Sequence, residues 1–138
     1  MPFNTQVSNV AAAAEANAFA KLLNGGFIDI YDGVQPATAE TAITGQIKGV
    51  RLTFGSPAFG ASTDGTLTSN AITPGTATAR IVATWFRCLK ADGVTVVMDG
   101  TVSTSSANLV LPAVLIDSGV VVSCSSFTHT VNRAASGL

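Results

Sequence analysis

Between Asn9 and Leu23 the apolar residues recur at helical spacing, and after Gly26 they recur at every second position. The first stretch, NVAAAAEANAFAKLL, is rich in alanine, the best helix former, and predicts one helix over Asn9–Leu23. Ser8 or Asn9 can cap its start by accepting from an unsatisfied amide of the first turn. Asn24-Gly25-Gly26 stops it, glycine taking the left-handed position after the last turn. Phe19, Leu22 and Leu23 share a side with Ala12 and Ala16, a thin stripe suited to lying on a sheet or on a neighbouring subunit. Residues 1–8 (MPFNTQVS) show no period and read as an arm.

The alternating stretches that follow predict strands. GFIDIYDG sets Phe27, Asp29 and Tyr31 against Ile28 and Ile30 and ends in an Asp32-Gly33 turn. Val34–Thr44 is a small, polar, proline-containing loop. KGVRLTFG puts Val50, Leu52 and Phe54 on one face, and a second long loop, Gly55–Gly65, carries Phe59. Thr66–Ile72 is a weaker strand. Ala77–Leu89 is the longest strand signal, with Ala79, Ile81, Ala83, Trp85 and Arg87 on one face and Arg80, Val82, Thr84, Phe86 and Cys88 on the other. Lys90–Gly93 forms a hairpin loop, Val94–Met98 returns, and Thr101–Ser103 continues past Asp99-Gly100. Asn108–Ile116 is a strand with Pro112 at an edge or bulge, Asp117-Ser118-Gly119 a second hairpin turn, and Val120–Val131 the last strand. NRAASGL, residues 132–138, is a polar tail. One helix followed by many turn-linked strands predicts a mainly β domain over residues 9–131, an antiparallel β-sandwich of the jelly-roll or immunoglobulin-like kind, with few parallel pairs. Trp85 precedes Cys88, where an immunoglobulin domain has its tryptophan well after the first cysteine, so that variant is set aside.

Composition narrows the function classes. Of 138 residues, 47% are hydrophobic and 11% charged, with seven Lys+Arg against eight Asp+Glu. Such a balance argues against a polybasic nucleic-acid binder and against disorder. Arg80, Arg87 and Lys90 lie near Trp85 and Phe86, but strand parity separates Arg80 from the aromatic Trp85, so no stacking platform for single strands is expected. A mean hydropathy of +0.45 is high for a small soluble protein and points to surface that a partner covers. The charge-free stretch Thr101–Ile116 is broken by polar residues and Pro112, so no membrane span is expected. The amino end lacks the positive region of a secretory signal, which places assembly in the cytoplasm.

Candidate chemistry is sparse. His129 is the single histidine and alternates with Phe127 and Val131, so it reads as a structural histidine on the core face and not as a catalytic base. Cys88, Cys124 and His129 lack close metal-ligand spacing; no zinc site or cofactor is expected, and whether the cysteines pair stays open. Asp29 and Asp32 bracket Tyr31, the one cluster resembling a sugar-binding site. Asp32-Gly33, Asp64-Gly65, Asp92-Gly93 and Asp99-Gly100 read as turns. The chain has no nucleophile elbow, Walker loop or dinucleotide fingerprint, and no enzymatic role is expected.

Five stretches carry a likeness that spans about Asn9 to Val131: LNGGFIDIYDGVQPATAETAITGQ, RLTFGSPAFGAS, GTLTSNAIT, ATARIVATWFRCLKADGVTVVMDGTV and VVVSCSSFTHTV. They resemble the capsid cement, or decoration, proteins of tailed bacteriophages, podophages of Bordetella among them. The resemblance implies a jelly-roll protein on the outside of an HK97-like head, a homodimer that clamps neighbouring subunits of the major capsid protein without covalent links, and a virion location. On that reading the contact elements are the arm with Pro2 and Phe3, the loops Val34–Thr44 and Gly55–Gly65, and the tail from Arg133 to Leu138. Phe59 is either an anchor in this set or a lid on the sheet end. A tail or receptor module recognising carbohydrate on the same scaffold is the alternative.

Overall fold

The structure, a computed structural model, describes residues 5–124 and 126–131. Helix α1 runs Asn9–Leu22, and the Ser8 side chain accepts the Ala11 N–H at 3.2 Å, as the capping pattern predicts. Its buried stripe is Ala12, Ala16 and Ala20, closed by Leu23. Leu22 leaves the predicted stripe and is exposed, because the small alanines let the helix sit close on a narrower face.

Seven strands form one sheet: β1 (Phe27–Tyr31), β2 (Lys48–Thr53), β3 (Thr66–Thr68), β6 (Trp85–Leu89), β7 (Val96–Ser103), β8 (Leu109–Val110) and β11 (Ser126–Thr130). Their order is β2-β1-β6-β7-β8-β11-β3. The protein is mainly β with one helix, but the sheet is mixed: β7 and β8 run parallel. A short loop, Thr104–Asn108, turns the chain back on itself, and the Asn108 side-chain oxygen fixes it by accepting the Thr101 N–H at 3.2 Å and Oγ1 at 3.3 Å. The predicted Asp99-Gly100 turn is likewise overturned. Both residues lie inside β7, paired with Arg87 and Phe86 of β6. Gly100 is required there because the Phe86 ring occupies the place of a Cβ.

Two further two-stranded sheets, β4 (Gly75–Thr76) with β10 (Val121–Val122) and β5 (Ile81–Val82) with β9 (Leu115–Ile116), share one register. Val122 faces Gly75, Val121 faces Thr76, Ile116 faces Ile81 and Leu115 faces Val82. The Ala77 N–H to Val120 O and Ala83 N–H to Val114 O bonds keep the same offset. They are therefore one antiparallel ribbon, residues 75–83 against 114–122, bent at 78–80 and 117–119. Asp117–Gly119 does turn the chain, but its flanking strands pair with β5 and β4 and not with each other, so the predicted hairpin is absent. The long predicted strands break where the chain passes between the sheet and the ribbon. Ala77–Leu89 divides into β5 and β6, Asn108–Ile116 divides around Pro112, Val120–Val131 divides into β10 and β11, and Thr66–Ile72 is a strand only to Thr68, with Ser69 bridging Phe59.

The core lies between the sheet and the ribbon. Ile28, Ile30, Val50, Leu52, Phe86 and Cys88 face it from the sheet, and Ala77, Ile81, Ala83, Ile116 and Val122 from the ribbon. Phe54, Phe59, Phe86 and Phe127 meet at its centre with ring centroids 5.5–5.8 Å apart. Phe59 is 4% exposed and belongs to this cluster, so it packs inward and is not an exposed anchor. Four aromatic rings withdrawn from water outweigh any contact one of them could offer outside.

Candidate functional site: a bent ribbon and a row of paired charges

The outer face of the sheet is covered, and charge does much of the work there. Arg51, Asp29, Arg87 and Asp99 stand directly opposite one another on β2, β1, β6 and β7, alternating in sign. Arg51 Nε and Nη2 donate to the two Asp29 oxygens at 2.6 and 2.9 Å. Arg87 does the same to Asp99 at 2.7 and 2.9 Å, with both side chains buried. Each guanidinium also lies over a ring, Arg51 over Phe27 at 4.6 Å and Arg87 over Trp85 at 5.4 Å. The carboxylate partners push both arginine pKa values up, against the opposing effect of burial.

The predicted loop Val34–Thr44 straps this face. Asp32 anchors it by donating its N–H to Ile47 O and accepting the Ile47 N–H at 2.6 Å. Gln46 donates to Val34 O and accepts from Thr44 and Gly45. At its middle, Thr41 O accepts from Arg87 Nη2 at 2.8 Å. Trp85 Nε1 donates to Asp32 O, and the Trp85 and Tyr31 rings stack at 4.6 Å. Burial raises the Tyr31 pKa, with Asp29 adding to it. The Tyr31–Asp29–Asp32 cluster is thus a closed structural unit and presents no open sugar platform.

The remaining candidates also have packing roles. His129 is half-buried and stacks on Phe19 of α1 at 4.4 Å, and burial lowers its pKa. Cys88 is buried and desolvation raises its thiol pKa well above the usual value. Cys88 and Cys124 are thiols, not joined to each other. Among the described residues no His, Cys, Asp and Glu come together to hold a metal ion. No helix among them is long and apolar enough to cross a membrane. Pro2, Phe3, Arg133 and Leu138 lie outside the described residues.

The outer face of the bent ribbon stands apart from all of this. Val82 and Leu115 are opposite one another and 54% and 52% exposed, and Val121, opposite Thr76, is 67% exposed. No protein family, curated protein or solved structure matches the chain. Between the valines the bend carries one ion pair, Arg80 Nε to Asp117 Oδ1 at 3.2 Å, with both side chains exposed. Along the edge, Pro112, Leu115, Ile116, Val120 and Val121 line a groove of about 180 Å³. Val82, Leu115 and Val121 are thus large aliphatic side chains that the ribbon holds out of the core. Strand parity groups Val82 with Phe86 and Cys88, which are buried, and nothing in the run VVV at 120–122 sets an outward valine apart from the inward one.

Proposed function

We propose that this chain is a viral structural protein: a jelly-roll cement, or decoration, protein that binds the outside of an HK97-like phage head as a homodimer and clamps neighbouring major capsid subunits without covalent links. The observation that carries the reading is the exposed apolar face of the ribbon, with Val82, Leu115 and Val121 set around the Arg80–Asp117 pair. Behind it lies a body whose charges alternate in sign across four strands and are strapped by one loop. A rigid body with a neutral, greasy contact face suits a load-bearing brace better than a ligand-binding module. The likeness spanning Asn9 to Val131 points the same way.

Mechanically, such a protein adds contact area across seams that internal pressure pulls apart. A specific contact buries ~1,600 Å² in total, and a dimer holding two seams gains from the high effective concentration of its second end. The two-fold of a dimer matches a local two-fold of the shell. The test is to measure copy number and burst resistance on purified particles. Hundreds of copies per particle, and heads that burst at lower temperature when stripped of the protein, are expected. A few copies confined to the tail, or stripped heads as resistant as intact ones, overturn the reading.

A further inference from the structure

We propose that Asn24 is a latent deamidation site, held shut by the seam between α1 and the segment 55–65, and that its conversion unfastens that seam. Asn24 is followed by Gly25, whose lack of a side chain leaves its backbone nitrogen open to approach a neighbouring carbonyl carbon. In this chemistry the Gly25 nitrogen gives its proton to solvent and attacks Cγ of Asn24. A five-membered succinimide forms, the C–N bond of the side-chain amide breaks, and its nitrogen leaves as ammonia. Water then opens the ring at either carbonyl, giving aspartate or isoaspartate. The balance is one water in and one ammonia out, with no redox partner.

In the native chain both reacting groups are occupied. The Gly25 N–H donates to Gly55 O at 3.0 Å, and Asn24 Oδ1 accepts the Ala58 N–H at 2.9 Å. Gly25 is held at φ 66, and Gly26 donates to Leu23 O at 2.8 Å, completing the helix end. Attack requires the Gly25 nitrogen to leave Gly55 and the Asn24 amide to swing off Ala58. Water is at hand: Asn24 is half-buried beside an open groove lined by Asn17, Lys21, Pro57 and Gly60. The reaction therefore waits on local opening of the seam. Asn17 supplies the other fastening, donating to Ser62 O at 3.2 Å and accepting the Ser62 N–H at 2.8 Å. Isoaspartate would lengthen the backbone at the helix end and carry Gly25 away from Gly55, freeing residues 55–65 from α1.

The site is read by mass spectrometry of the Asn24 peptide during incubation of the full chain at mildly alkaline pH. Conversion in native buffer is expected to be about tenfold or more slower than in unfolding urea, the gap reporting the cost of opening the seam. Asn17→Ala loosens the seam without touching Asn24, and its folded form is expected to convert several-fold faster than the wild type. The converted protein, separated by ion exchange, is expected to be cut within residues 55–65 faster than the unconverted one. Equal rates in buffer and urea, no conversion in urea, or unchanged cleavage of the converted protein would each overturn the proposal. The urea comparison uses the wild-type chain and stands even where Asn17→Ala does not fold.

Discussion

Arg87 ties together several parts of the outer face: it holds Asp99 through two bonds, ties down Thr41 and lies over Trp85. Removing one partner of such a buried pair leaves an uncompensated charge and costs ~3–5 kcal/mol. Asp99→Asn is therefore expected to lower the urea midpoint sharply, whereas the double change Arg87→Met with Asp99→Leu recovers most of the loss. His129 gives a pH signature. Its folded pKa is lowered by burial, so the neutral ring favours the fold and the unfolded chain takes up the proton first. Its contribution is complete above the ordinary histidine pKa, falls as pH drops below about 6.5, and levels off once the folded pKa is also passed. His129→Phe keeps the stack on Phe19 and is expected to flatten that window in thermal melts taken across it. The residue scale was partly legible in advance. The structural reading of His129 follows from its alternation with Phe127, but Asp99 looked like a turn residue because Asp-Gly is turn chemistry wherever nothing opposes it. Only pairing with Arg87 across the sheet shows otherwise.

The run Ala77–Leu89 shows why element boundaries escaped the pattern. Ile81 and Ala83 face the core, and so do Phe86 and Cys88, so the inward parity changes between Ala83 and Phe86. The chain there leaves the ribbon for the sheet, with the Thr84 N–H bonded to Tyr31 O while the Ala83 N–H is bonded to Val114 O. A single alternation cannot describe a strand that serves two layers. The two layers touch closely at Gly49, where an added Cβ would collide with the Ile81 side chain. Gly49→Ala is expected to cost ~1–3 kcal/mol by overpacking. Ile81→Ala alone opens a cavity at ~2–5 kcal/mol. Because each change relieves the other, the double variant should lose clearly less than the sum, read from denaturant unfolding as a double-mutant cycle.

At the scale of the whole molecule, the outer face of the ribbon keeps Val82, Leu115 and Val121 out of the core. Leu115→Asp with Val121→Asp puts charge on side chains already exposed, so stability is expected to change by about 0.5 kcal/mol or less per site. The same pair of changes should abolish binding to stripped phage heads, measured by co-sedimentation. Full binding by the variant would place the contact elsewhere, and a collapsed melting temperature would show the face to be structural.

Local pattern alone determined the helix and its Ser8 cap, the glycine stop at its end, the strand periods, the two long loops, and the mainly β character. Each of these depends on neighbours a few residues away, through propensity, capping and alternation. Tertiary structure alone decided that two long strands bend into one ribbon, that β7 and β8 lie parallel, that Arg51, Asp29, Arg87 and Asp99 line up across four strands, and that Phe59 turns inward. These depend on which distant segment lies opposite, and hydrogen-bond partners, buried charge pairs and ring contacts are chosen only when the chain closes around its core.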